Sequence, residues 1–121
     1  MKRILICDDE ELVVALIRVK ITEEKLGEVI VARDGLQALT LLREQNFDLV
    51  ITDIHMPYHN GEEILKLIRV DQKKNTPIVM ISSDGEEEVI ALAKKLGVNE
   101  FLTKPIKPKE IAKLVKRLLK D

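Results

Sequence analysis

Residues 48–57 read DLVITDIHMP, a short apolar run that ends in an aspartate and is followed by a proline. Similar short runs recur along the chain, and each is rich in isoleucine, valine or leucine. They are Ile4–Cys7, Val29–Ala32, Leu49–Ile51, Ile78–Ile81 and the weaker Phe101–Leu102. Runs of this length without polar alternation are typical of strands that are buried on both faces of a parallel sheet.

Longer segments with helical spacing separate these runs. In the first of them, Leu12, Leu16 and Val19 are predicted to share the apolar face, and the last places apolar residues at helical spacing from Ile111 to Leu119. Glycines fall between the periodic segments, where turns and helix ends need them. Five strand–helix repeats predict an α/β fold, a doubly wound five-stranded parallel sheet with five helices.

The composition limits the function classes. The chain has 121 residues, and we expect residues 1–121 to form one domain. There are 20 Lys and Arg residues against 21 Asp and Glu residues, a balance that does not favour direct binding to nucleic acid. The single cysteine, Cys7, excludes an internal disulfide, and no apolar run is long enough for a membrane span or a signal peptide. We therefore expect a cytoplasmic protein without membrane contact, and no output domain after the last helix.

Polar side chains follow four of the predicted strands. Asp8 and Asp9 come after the first strand, Asp53 after the third, Ser82 after the fourth and Lys104 after the fifth. Ligands of doubly wound sheets bind outside the carboxyl ends of the strands, so we expect these groups to meet at one edge. Each residue alone has an ordinary explanation, such as an acid at a helix start or a lysine on the surface. Their convergence is what indicates a functional site.

The chemistry of this group is that of phosphate and a divalent cation. Clustered carboxylates repel one another unless positive charge is present. Carboxylate oxygens suit Mg²⁺, which keeps waters and phosphate oxygens among its ligands. A carboxylate beside such a metal can attack phosphorus and form an acyl phosphate, and Lys104 offers a compact positive charge for a phosphoryl oxygen.

Taken together, these motifs resemble the receiver domain of two-component response regulators, of the single-domain chemotaxis-regulator type. The residues that carry the resemblance are Asp8-Asp9, Asp53 to Pro57 with Gly61, Ser82-Ser83 and Lys104-Pro105. The resemblance covers essentially the whole chain and implies a flavodoxin-like (βα)5 fold. It also implies a phosphoacceptor switch that promotes its own phosphorylation and dephosphorylation, rather than an enzyme. The implied partners are a sensor histidine kinase or phosphotransfer domain, and a downstream protein target or a second copy of the chain.

The resemblance assigns a role to each residue of the site. Asp53 would be the phosphoacceptor, and Lys104 would hold the phosphoryl group. Asp9 and Asp53 would ligate Mg²⁺ directly together with the backbone carbonyl of His55, and Asp8 would act through water.

Further roles concern the output and the lifetime of the phosphorylated state. Ser82 would be the hydroxyl switch and Phe101 the aromatic switch, and Lys104–Pro105 would be a cis peptide. His55 and Asp84 each lie two residues past a site residue, and we expect them to tune the rate of dephosphorylation. The surface that changes would be the fourth helix, the fifth strand and the fifth helix, about residues 86–120. Phe101 stands where a tyrosine is frequent in the family, so its signal would be steric.

Three other function classes stay open at this point. A phosphohydrolase of the haloacid-dehalogenase type would need a second acid two residues after its nucleophile, where this chain has His55. A nucleotide-binding module would need a glycine-rich turn after the first strand, which the sequence lacks. A docking module that works without phosphorylation would not need the full set of site residues.

Overall fold

The computed structural model describes residues 1–56, 58–83 and 87–120. The strands are β1 Arg3–Cys7, β2 Glu28–Ala32, β3 Leu49–Asp53, β4 Ile78–Ser82 and β5 Glu100–Thr103. The helices are α1 Glu11–Glu23, α2 Gly35–Glu44, α3 Gly61–Lys66, α4 Glu87–Leu96 and α5 Pro108–Leu118, and α3 continues as a π-helical turn over Leu67–Asp71. The five predicted strand–helix repeats are therefore confirmed. None of the helices in the described ranges is both long and apolar enough to cross a membrane.

The five strands form one parallel sheet in the order β2-β1-β3-β4-β5. Ile6 of β1 lies opposite Val31 of β2 on one side and Ile51 of β3 on the other. The chain therefore moves outward from β1 to β2 and then crosses to β3 on the opposite side of β1. Ligands of such sheets bind where the strand order reverses, and here that point lies between the carboxyl ends of β1 and β3.

Both faces of the sheet are covered, because successive side chains of each strand point to opposite sides. In β1, Leu5 and Cys7 pack into a core cluster with residues of α2, α3 and α4. Ile4 and Ile6 pack into a second cluster with residues of α1 and α5. All four of these side chains are fully buried. Continuous apolar strands are therefore what this sheet requires, as the sequence predicted.

Helix α1 corrects one expectation. The predicted apolar face is wrong, because Leu12 is 71% exposed and Val19 is 57% exposed, while Leu16 is half-buried. The face that packs on the sheet consists of Val13, Val14, Ile17 and Ile21. The helix carries two apolar stripes with the same spacing, and hydrophobic periodicity alone does not say which stripe meets the sheet.

Gly61, the first residue of α3, brings the loop after β3 close to the strand end. Its backbone N–H donates to the Ile54 carbonyl at 2.9 Å. A Cβ atom at this position would lie 2.5 Å from the carbonyl oxygen of Asp53. The absence of a side chain therefore allows the backbone of α3 to pack directly on the end of β3.

We predict that Gly61→Ala destabilises the protein by about 1–3 kcal/mol, the usual cost of forcing extra atoms into a packed interior. Alanine favours a helix over glycine by about 1 kcal/mol, so the substitution would be stabilising if the site had room. Chemical unfolding measures the difference. Ala91→Ser adds one atom at an exposed position of α4 and is the control. A Gly61→Ala variant as stable as the parent would contradict the close approach.

Candidate functional site

Asp53 lies at the carboxyl end of β3 and is only 6% exposed. One carboxylate oxygen, Oδ1, accepts a hydrogen bond from the backbone N–H of His55 at 3.1 Å. The other, Oδ2, accepts from the Lys104 ammonium at 3.1 Å. Each oxygen thus has a donor that orients it, and the carboxylate lies at the sheet edge where the strand order reverses.

Asp8 follows β1 and is fully buried. Its Oδ1 accepts from the backbone N–H of Glu10 at 2.8 Å, whereas its Oδ2 is buried without a hydrogen-bond partner among the described residues. Burial raises the pKa of Asp8 to about 6; the Glu10 N–H opposes this rise and the negative charge of Asp53 adds to it. A buried carboxylate oxygen without a donor is a position at which a cation would be stabilising.

Glu10 completes a group of three acids. One carboxylate oxygen from each of Asp8, Glu10 and Asp53 lies within 4.8 Å of the other two. Asp9, the acid predicted to ligate the metal directly, is exposed and is not one of these three. Glu10 was not among the residues predicted for the site, although it belongs to the acidic run that follows β1. Only the direction of its side chain, toward Lys104, distinguishes Glu10 from an acid that merely begins a helix.

Lys104 supplies the positive charge of the site. It directly follows β5, and its backbone N–H donates to the Ser82 carbonyl at 2.9 Å, which ties it to the end of β4. Its ammonium forms ion pairs with both Asp53 and Glu10. Burial by itself would lower the pKa of Lys104, but the hydrogen bonds to Glu10 and Asp53 outweigh it and raise the pKa. The Lys104–Pro105 peptide is cis, as the resemblance implies.

The two predicted switch residues lie on the β4 and β5 side of the site. Ser82, the last residue of β4, is buried and 3% exposed. Phe101 of β5 is half-buried against the core cluster that includes Leu5, and Lys94 of α4 lies 6.0 Å from the centre of its ring.

Of the two residues predicted to tune dephosphorylation, the structure describes one. His55 is exposed beside Asp53. Asp84, the second predicted lifetime residue, lies outside the described residues.

These residues fit a magnesium ion. Mg²⁺ prefers oxygen ligands and is usually bound through one or two carboxylates together with waters and phosphate oxygens. Asp8 and Asp53 offer such carboxylates, and the free Oδ2 of Asp8 is the oxygen that gains most from a cation. Glu10 lies within reach of the same position. The geometry therefore combines a buried carboxylate, an ammonium and a place for a hard cation.

We predict that Asp8→Asn stabilises the Mg²⁺-free protein. The pKa of Asp8 is raised by folding from 3.8 to about 6. Protonated Asp8 therefore favours the folded state at low pH, and this contribution is lost as the pH rises through about 6. In Mg²⁺-free buffer at pH 7, Asp8→Asn should be more stable than the parent by about 2–3 kcal/mol.

The gap between Asp8→Asn and the parent should close as the pH falls from about 6 to about 4. Chemical unfolding over this pH range measures it. Asp9→Asn removes the same charge at an exposed position and is the matched control. A gap that is equally wide at both ends of the pH range would contradict the burial of an unpaired Asp8 oxygen.

Comparison with known proteins assigns the family. The sequence model described as "Response regulator receiver domain" matches residues 4–116. The alkaline phosphatase synthesis transcriptional regulatory protein PhoP of Bacillus subtilis is 37% identical over 120 residues, which are 98% of this chain and 49% of that protein. The transcriptional regulatory protein CpxR of Escherichia coli is 35% identical over 120 residues, which are 99% of this chain and 50% of that protein. The chain thus spans about half the length of these curated relatives.

Solved structures agree with the sequence relatives. The receiver domain of the Francisella response regulator 1452 superimposes with a TM-score of 0.87 at 32% identity and covers 98% of this chain and 97% of that chain. The chemotaxis response regulator CheY4 of Vibrio cholerae gives a TM-score of 0.87 at 31% identity and covers 98% of this chain and 99% of that chain. This chain therefore belongs to the response regulator receiver domains of two-component signal transduction.

Proposed function

We propose that Asp53 is the phosphoacceptor and that a sensor histidine kinase or phosphotransfer domain supplies the phosphoryl group. The observation that supports this most strongly is the contact between the buried Asp53 carboxylate and the Lys104 ammonium at the sheet edge. A carboxylate oxygen of Asp53 forms a bond to phosphorus while the bond from phosphorus to the donor's imidazole nitrogen breaks. The electron pair of the broken bond stays on that nitrogen.

The surrounding residues supply orientation and charge. The His55 N–H and Lys104 orient the Asp53 carboxylate. Lys104 would also bind an oxygen of the incoming phosphoryl group. When bound, Mg²⁺ would neutralise charge that develops on the phosphoryl oxygens. Asp8 and Asp53 would hold it, with Asp9 and the His55 carbonyl as the further ligands that the resemblance implies. We place this exchange in the cytoplasm and assign it to residues 1–121 as one receiver unit.

The output would pass from Ser82 to Phe101. Ser82 ends the strand beside β3, and its hydroxyl would turn toward a phosphoryl oxygen on Asp53. Met80 and Phe101 are partners in the β4–β5 register, and a shift at the end of β4 would change the space available to the Phe101 ring. The surface formed by α4, β5 and α5 would then bind a downstream protein or a second copy of the chain. Direct contact with nucleic acid is not part of this proposal.

His55 and Asp84 would set the lifetime of the phosphorylated state. His55 is exposed and its backbone N–H donates to the Asp53 carboxylate, so its side chain would border the path of an attacking water. Asp84 takes its place in this proposal from its sequence position alone, two residues after Ser82.

We predict that Asp53→Ala abolishes phosphoryl incorporation from acetyl phosphate and Mg²⁺ while the fold is retained. Intact mass spectrometry with peptide mapping measures the incorporation, and circular dichroism checks the fold. Asp71→Ala removes an exposed carboxylate from the π-helical turn and should be labelled like the parent. Labelling of Asp53→Ala at Asp8 or Asp9 would contradict the assignment.

We also predict that Phe101→Ala separates phosphorylation from output. The variant should take up the phosphoryl group at a rate close to that of the parent, because the ring does not contact Asp53 in any described interaction. Amide-shift changes on phosphorylation should be reduced over residues 87–120. Phe101→Tyr keeps the ring and is the matched control. Unchanged shifts in that range for the phosphorylated parent would refute the proposed output surface.

A further inference from the structure

Lys104 is shared between two carboxylates of different exposure. Its ammonium contacts Asp53, whose side chain is 8% exposed, and also Glu10, whose side chain is 54% exposed. Asp53 is thus the inner partner of the lysine and Glu10 the outer one. The Lys104 ammonium therefore contacts a solvent-exposed anion as well as the buried carboxylate.

The conformation of Glu10 indicates that its side chain is used for this contact rather than for its helix. Glu10 is the N-cap residue of α1 and has the extended backbone of a cap, with φ −88° and ψ 111°. Its backbone carbonyl accepts from Val14 at 3.1 Å, but its side chain makes no capping hydrogen bond. Short side chains such as Ser, Thr, Asp and Asn are preferred at this position because they reach the first helical N–H groups. The Glu10 carboxylate extends across the site to Lys104 instead.

The Glu10 carboxylate would lie close to a phosphoryl group on Asp53. Carboxylate oxygens of Glu10 and Asp53 lie within 4.8 Å of each other. A phosphoryl group on Asp53 adds three oxygens and negative charge on the side from which it enters. Lys104 already contacts both Asp53 and Glu10, so a phosphoryl oxygen would compete with Glu10 for the same ammonium, and the two negative charges would repel each other at this distance.

We infer that Glu10 is a positioning residue that competes with the phosphoryl group for Lys104 and thereby slows phosphorylation of Asp53. The inference deepens the proposed function and rests on it. In the unphosphorylated protein, the Glu10 carboxylate occupies the outer side of the lysine as an internal substitute for a phosphoryl oxygen. Phosphorylation requires Lys104 to exchange Glu10 for the incoming group, and the released Glu10 carboxylate returns to solvent.

The test uses acetyl phosphate as the donor, so that no kinase contact contributes to the rate. In this reaction, Asp53 forms a bond to phosphorus, the bond between phosphorus and the acetate oxygen breaks, and acetate leaves with the electron pair. Rates are measured by intact mass spectrometry at a Mg²⁺ concentration that titration shows to saturate each variant. Thermal unfolding checks that each variant is folded.

Glu10→Gln should accelerate labelling about two- to fivefold, the range expected for loss of a partly exposed ion pair. Glu10→Asp should also accelerate it, although the charge is kept. Its carboxylate is one methylene shorter and is of the type that caps its own helix, so it should release Lys104. Glu11→Gln is the matched control, because Glu11 is the next residue, is exposed, and pairs with Arg33 rather than with Lys104. Its rate should equal that of the parent.

The possible results separate competition for Lys104 from the proposed function itself. Glu10→Asp at the parental rate, with Glu10→Gln accelerated, would mean that Glu10 acts by charge alone and would overturn competition for the lysine. A Glu10→Gln rate equal to or below that of the parent would overturn it as well, and so would equal acceleration by Glu11→Gln. If the parent itself takes up no phosphoryl group under these conditions, the proposed function fails, whatever the variants do.

Discussion

The contact between the Lys104 ammonium and the Asp53 carboxylate is the interaction on which the rest of the site depends. It joins the end of β5 to the end of β3, although β4 lies between them in the sheet. The backbone hydrogen bond from Lys104 to Ser82 ties the same residue to β4. Without this positive charge, Asp8, Glu10 and Asp53 would be three acids within a few ångströms of one another, two of them buried. The lysine thus makes an acidic site compatible with a folded sheet.

The polar site is held in place by apolar strands and the two apolar cores. Asp8 directly follows β1 and Asp53 ends β3, and the apolar residues of both strands are fully buried in two cores, one on each face of the sheet. The free energy gained by burying these cores offsets the cost of burying the Asp8 carboxylate, which has a raised pKa and an unpaired oxygen. Strain of this kind is typical of functional sites, because a group that is already satisfied has little to gain from a ligand.

Most of the site could be predicted because it depends on strand ends. In a parallel sheet, all carboxyl ends lie at one edge, so residues that follow buried strands must come together there. Asp8, Asp53, Ser82 and Lys104 were identified in this way, and the structure brings them to that edge. Glu10 was not, because its role depends on the direction of a long side chain at a helix start. An acid at that position is equally consistent with an ordinary helix N-terminus.

The sequence by itself determined the class of fold, the order of the elements and the chemistry available at one edge. Buried strands need continuous apolar residues, and this pattern can be recognised within a short stretch of sequence. Tertiary structure decided which of two equivalent stripes of α1 packs on the sheet, and left Leu12 exposed while Ile17 is buried. It also decided that Lys104 is shared by Asp53 and Glu10. Both outcomes depend on the rotation of a helix and the direction of side chains. These are set by contacts between residues far apart in the chain, and no local pattern encodes them.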